Sequence, residues 1–110
     1  MEIIKSREDI SNLFSCGERR HTPYLTLIIK SHGEHDRGGR VAFVAGKKLG
    51  CAVWRNSAKR RMREICRLNG GEWEGYDVVF VAKRRILDVP YDTVQRAYCD
   101  LLGGRKTGVR

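Results

Sequence analysis

The stretch from residue 52 to 68, AVWRNSAKRRMREICRL, constrains the fold more than any other part of the chain. It has the period of an amphipathic helix, yet one side of it is almost wholly cationic. With Trp54 at 0° and roughly 100° per residue, Trp54, Ala58, Met62, Ile65, Cys66 and Leu68 fall between about −40° and 120°. Arg55, Asn56, Lys59, Arg60, Arg63 and Arg67 fall between about 100° and 240° on the same wheel. The apolar arc needs a sheet to cover it, so this helix is part of a core. The cationic arc works against folding, because like charges one turn apart each cost a few tenths of a kcal/mol. Lys59 also lies near the positive end of the helix dipole. Glu64 is the only acid within the stretch. A helix selected only to fold would interleave more glutamate, so the ridge points to phosphate as its missing counter-charge. A merely solvated charged face is the alternative. Lys47, Lys48, Lys83, Arg84 and Arg85 at the neighbouring strand ends weigh against it.

The flanking elements supply the cover. Ser6 followed by Asp9 resembles a capping box that opens a short helix carrying Ile10, Leu13 and Phe14, with Gly17 where it stops. YLTLIIKS (24–31) reads as a strand, HGEHDRGG as the loop after it, and RVAFVAGKK (40–48) as a second strand. The basic helix follows and NGG at 69–71 closes it. YDVVFVAKRR (76–85) is a third strand, its apolar run suited to burial on both faces. Val94, Ala97, Tyr98, Leu101 and Leu102 share one face of a last helix that stops at Gly103 and Gly104. The order is helix, strand, strand, helix, strand, helix in a single domain spanning 1–110. Residues 6–102 form its ordered part, and a basic tail occupies 105–110. A strand–helix–strand crossover would by default be right-handed.

Asn56 has two readings, as the N-cap of the basic helix or as a first-turn residue hydrogen-bonding RNA. Trp54 reads more simply as core than as a base-stacking ring. Cys16, Cys51, Cys66 and Cys99 form no C-x-x-C pair, which leaves a zinc ribbon or a thioredoxin-like site without an anchor. The N-terminus lacks the apolar core of a signal peptide and no run is long enough to span a bilayer, so reduced thiols in the cytoplasm are expected. With 22 Lys and Arg against 13 Asp and Glu, a net charge of +9 favours a polyanionic partner. A membrane surface suits the helix less well, because its apolar arc is committed to the core. His32, Glu34, His35 and Asp36 are the candidates for a metal or acid–base site, in a Gly-flanked loop beside Arg37 and Arg40. A solvated loop is the simpler reading of them.

The segment KKLGCAVWRNSAKRRMRE resembles the signature K-K-x-G-x-A-V-x-R-N-R-x-K-R-x-x-R of the protein component of bacterial ribonuclease P. Lys47, Lys48, Gly50, Ala52, Val53, Arg55, Asn56, Lys59, Arg60 and Arg63 match, while Ser57 stands where the signature has arginine. The likeness runs from about Ser6 to Leu102. It implies an α/β (α+β) two-layer sandwich with a mixed sheet and a left-handed crossover. It further implies that the basic helix contacts a catalytic RNA subunit. A cleft between the first helix and the sheet would receive the single-stranded 5′ leader of precursor tRNA. Hydrolysis would then belong to the RNA subunit and its magnesium ions, with no catalytic residue or metal ligand on this chain. The implied RNA-binding set is Lys47, Lys48, Arg55, Asn56, Lys59, Arg60, Arg63 and Arg67, with Phe14 as the candidate stacking residue; Phe14 reads equally well as a core side chain. Ile10 and Ile28 stand where relatives often carry aromatics. The competing function is a basic structural RNA-binding protein of ribosomal type.

Overall fold

One mixed sheet organises the chain, with helices on both of its faces. The computed structural model describes residues 2–4, 6–31, 39–69 and 75–103. The loop bearing His32, Glu34, His35 and Asp36 lies outside the described residues, as do Gly70, Gly71 and the tail 105–110. The elements are β1 (Glu2–Ile3), α1 (Arg7–Cys16), β2 (Glu18–His21), β3 (Leu25–Ser31), β4 (Arg40–Val44), α2 (Ala52–Leu68), β5 (Tyr76–Ala82) and α3 (Tyr91–Gly103). Two 3-10 turns, Lys47–Leu49 and Arg84–Leu87, follow β4 and β5. The strand order is β1-β4-β5-β3-β2. β4 is parallel to β1 and β5, whereas β3 is antiparallel to β5 and β2. Helix α2 is therefore the connection between two adjacent parallel strands.

Alternation along the strands builds two cores. Leu25, Leu27, Ile29, Val41, Val78, Phe80 and Ala82 face the layer of α2 and α3, where they meet Ala58, Met62, Ile65, Cys66, Val94 and Tyr98. Ile28, Ala42 and Val79 face the other way, onto Ile4 and Leu13 of the α1 side. The apolar run of β5 thus has cover on both faces, as its composition predicted. Helix α1 begins where Ser6 Oγ accepts a hydrogen bond from the Asp9 N–H at 3.3 Å. It stops at Gly17, whose N–H donates to the Leu13 carbonyl at 2.8 Å. A Cβ there would sit 2.5 Å from Ile28 Cγ2 and 2.7 Å from the Leu13 oxygen, so the helix end approaches β3 closely only because position 17 has no side chain.

Arg40 ties the α1 side together through two carboxylates. Arg40 and Asp77 are register partners on β4 and β5, joined by Nε to Oδ1 at 3.0 Å and Nη2 to Oδ2 at 2.7 Å. Arg40 Nη1 also reaches Asp9 of α1 at 3.3 Å. Hydrogen bonding to Asp77 pushes the Arg40 pKa still further up and keeps the guanidinium charged.

Several boundaries differ from the sequence reading. The second strand ends at Val44 rather than at residue 48, and the third at Ala82 rather than 85. Beyond them Lys47 and Lys48, and likewise Arg84 and Arg85, sit in 3-10 turns, with Lys83 as the extended residue before the second. Strands β1 and β2 carry no apolar alternation and were not anticipated. Leu68, placed on the docking arc by its angle, is 58% exposed, because it falls in the last turn beyond the sheet-covered part of α2.

Candidate nucleic-acid interface

The rotation of α2 about its own axis decides what its cations can do. Arg61 falls at about −20° on the helical wheel, inside the apolar arc. There its Nη1 donates to the carbonyls of Ile86 at 3.0 Å and Val89 at 2.6 Å, just before α3. This arginine is a tether between elements and not part of the ridge. With Ala58, Met62, Ile65 and Cys66 buried on the same side, the opposite flank turns outward.

On that flank Asn56, Arg60, Arg63 and Arg67 are exposed, Arg55 and Lys59 are half-buried, and Lys47 and Lys48 are exposed in the turn before the helix. Arg63 lies over the ring of Phe43, 5.6 Å from its centroid, which holds its stem while leaving the charge accessible. Arg67 is paired with Glu64 at 2.6 Å. Among the described residues, no carboxylate lies at ion-pair distance from Lys47, Lys48, Arg55, Lys59, Arg60 or Arg63. Among the described residues, then, only the last arginine of the ridge is neutralised by a carboxylate.

The N-cap of α2 is Cys51, so Asn56 is the fifth residue of the helix and exposed, which removes its capping alternative. No side chain caps this end and no acid occupies its first turn. The positive end of the dipole therefore adds to Lys47 and Lys48. The backbone N–H groups of Trp54 and then Val53 hold the Cys51 thiol below its ordinary pKa. Trp54 packs against the main core, and a Cβ at Gly50 would come within 2.9 Å of it, so the core reading of Trp54 holds.

A second surface opens on the α1 face. Helix α1 roofs only part of its core, leaving Ile10, Phe14, Val44 and Val81 half-buried at the rim. Arg19 of β2 lies 5.7 Å from the Phe14 ring centroid and donates from Nη2 to the Phe14 carbonyl at 2.8 Å. Phe14 is thus at once packed and accessible. Ile28 is fully buried beneath α1, so it offers no surface to a ligand. Its place is taken by Val44 and Val81, with His21 and Thr26, which share a hydrogen bond at 3.1 Å. β4 joins the two surfaces: Phe43 lies under Arg63 on one face and Val44 lines the rim on the other. β1 pairs with Arg40 and Val41, so among the described residues no strand neighbours the edge of β4 between the two surfaces.

Arg19, Arg61, Val44 and Val81 escaped the sequence reading. Only Arg61 gave a signal, as a cation near the middle of the apolar arc, where Arg55 lies only at its margin. Among the described residues no group of three or more His, Cys, Asp or Glu is placed to hold a metal. Also among them, no helix is long and apolar enough to cross a membrane.

A small α/β domain with an exposed cationic helix flank beside a half-roofed apolar groove is, by class, a polyanion-binding protein. The profile of the family described as Ribonuclease P matches residues 1–104, and the chain belongs to that family. It is 42% identical over 104 residues to the ribonuclease P protein component of Pelotomaculum thermopropionicum, covering 93% of this chain and 90% of that one. It is 42% identical over 95 residues to the Finegoldia magna protein of the same name, covering 86% and 81%. Among solved structures, the ribonuclease P protein of Thermotoga maritima superposes with a TM-score of 0.78 at 28% identity, covering 93% of this chain and 96% of that one. These likenesses agree with the mixed sheet and three helices found here, and they favour ribonuclease P over the ribosomal alternative.

Proposed function

We propose that this protein is the RNA-binding subunit of ribonuclease P, working in the cytoplasm beside a catalytic RNA to remove the 5′ leader of precursor tRNA. The observation that carries the reading is the cationic flank of α2, displayed on a fixed scaffold where, among the described residues, only Arg67 meets a carboxylate. Lys47, Lys48, Arg55, Asn56, Lys59, Arg60 and Arg63 hold the phosphates of the RNA subunit, and Arg67 contributes less because Glu64 already occupies it. Phe14, with Arg19 over its ring, offers a flat platform on which a single-stranded leader base can stack, whatever its sequence. Val44 and Val81 continue that platform towards the edge of β4. A leader lying in the groove can round this edge and reach the basic flank.

Chemistry at the scissile phosphate is assigned to the RNA subunit, whose magnesium ions supply charge stabilisation and an activated water. Magnesium takes oxygen ligands, chiefly carboxylates and phosphates. The surface offered here presents ammonium and guanidinium groups, which have no lone pair to give. These groups instead neutralise phosphate, release counterions and lower the divalent concentration at which two RNA molecules can pack together. The test is cleavage of precursor tRNA by the RNA subunit at low magnesium, with and without this protein. The protein should restore cleavage that the RNA alone performs only at high magnesium. Equal rates with and without it would refute the assignment.

A further inference from the structure

The turn Arg84–Leu87 carries two exposed arginines, Arg84 and Arg85, that the interface above leaves unused. Because β4 and β5 are parallel and in register at Val44↔Val81, this turn leaves the sheet at the same end as Lys47–Leu49 and the start of α2. The turn is anchored on both sides. Ahead of it, the Lys83 N–H donates to the Tyr24 carbonyl at 3.0 Å and Lys83 Nζ to the Thr22 carbonyl at 2.7 Å. Towards its end Ile86 is fully buried, and the Ile86 and Val89 carbonyls accept from Arg61. Arg85 lies over the Tyr24 ring, 5.7 Å from its centroid. No described carboxylate is at ion-pair distance from Arg84 or Arg85.

Arg61 lies about 160° round the helix from Arg63, so the turn flanks α2 on the side away from the ridge. Between the two runs the crest of α2, where Arg60, Val53 and Ser57 fall at about 240°, 260° and 300°. All three are exposed, Val53 at 75%. At its N-terminal end the crest is therefore a strip of one arginine and two short side chains between two cationic margins; Glu64, further along at about 280°, is half-buried and paired with Arg67. A charge run placed only for solubility would not need a buried isoleucine, a lysine tether and an arginine fork to hold it still. Such anchoring lowers the entropy lost when the arginines grip a ligand.

We propose that Arg84 and Arg85, backed by Tyr24, form a second site for the RNA phosphodiester backbone, so that bound RNA straddles α2. This rests on the RNA-binding reading and extends it to a flank outside the signature helix's own ridge. The test compares wild type, Arg63→Ala and the double variant Arg84→Ala/Arg85→Ala for binding to ribonuclease P RNA and to leader-bearing precursor tRNA across a salt series. The double variant should melt like wild type and bind roughly tenfold more weakly. Its plot of log affinity against log salt should be flatter by about 1 to 2, and Arg84→Lys/Arg85→Lys should keep the wild-type slope. Loss confined to the RNA subunit identifies it as the occupant, and loss confined to the precursor identifies the substrate; either supports the site. Wild-type affinity and slope in the double variant overturn it. If Arg63→Ala then still weakens binding, only the second site falls. If Arg63→Ala also binds normally, the RNA-binding reading falls with it.

Discussion

Arg60 and Arg61 are chain neighbours in the same helix, and the structure gives them opposite duties. Arg61→Ala removes the fork from Nη1 to the Ile86 and Val89 carbonyls, at 3.0 and 2.6 Å. A hydrogen bond from a charged donor contributes about 1.5–3 kcal/mol, and two sharing one nitrogen do not add fully, so the expected loss is about 2–3 kcal/mol. For a domain of this size that lowers Tm by roughly 10–20 °C. Arg60→Ala removes an exposed side chain with no described ion-pair partner, so stability should stay within about 0.5 kcal/mol of wild type. Its cost appears in RNA binding instead, at about 1–1.5 kcal/mol for one phosphate contact, or roughly a five- to tenfold loss of affinity. Thermal melting followed by circular dichroism, with RNA-subunit titration at a temperature where both variants are folded, separates the two effects. Equal melting of the two variants would refute the assigned rotation of α2. So would an Arg60→Ala protein that melts early and binds normally.

Three further outcomes follow from the geometry. Arg40→Ala strands Asp77, which is 7% exposed, without its bidentate partner, and urea unfolding should report a loss of about 3 kcal/mol or more. Gly17→Ala forces a methyl towards Ile28 Cγ2 and the Leu13 carbonyl at ordinary backbone angles; overpacking alone should cost about 1–3 kcal/mol, read as a lower denaturation midpoint. Cys51 should alkylate faster than Cys16 and Cys99 at mildly alkaline pH, because its lowered pKa populates the thiolate, while buried Cys66 stays unmodified until the protein unfolds. Peptide mapping after brief iodoacetamide treatment decides this, and a Cys51 no faster than the other exposed thiols would contradict it.

The central elements were legible because their sequences carry strong periods. The cap at Ser6, the stop at Gly17, the cores of β3, β4 and β5, and the two faces of α2 all follow from spacing and turn chemistry. β2 was not legible for the opposite reason. ERRH has no apolar alternation, since its pairing with β3 is made by backbone and its side chains mostly face water at the sheet edge. β1 is two residues long and exists through its pairing with β4. The ends of β4 and β5 were overextended because basic residues in a 3-10 turn look, in sequence, like a strand's polar end. Within the site, exposure of the ridge was readable from helical angle alone. The tether of Arg61 was not, because its acceptors are carbonyls 25 and 28 positions away. Val44 and Val81 were hidden for a similar reason: α1 stops short of them, and only the packed structure shows where a roof ends.

The proposal that the cationic flank of α2 binds phosphate is tested most directly by the salt dependence of binding to ribonuclease P RNA. The comparison sets wild type against a Lys59→Ala/Arg60→Ala/Arg63→Ala variant verified to be folded. Each phosphate contact contributes roughly 0.7–0.9 to the slope of log affinity against log salt, so the triple variant should give a slope shallower by about 2 to 3. Parallel lines for the two proteins would mean that these three cations do not meet phosphate.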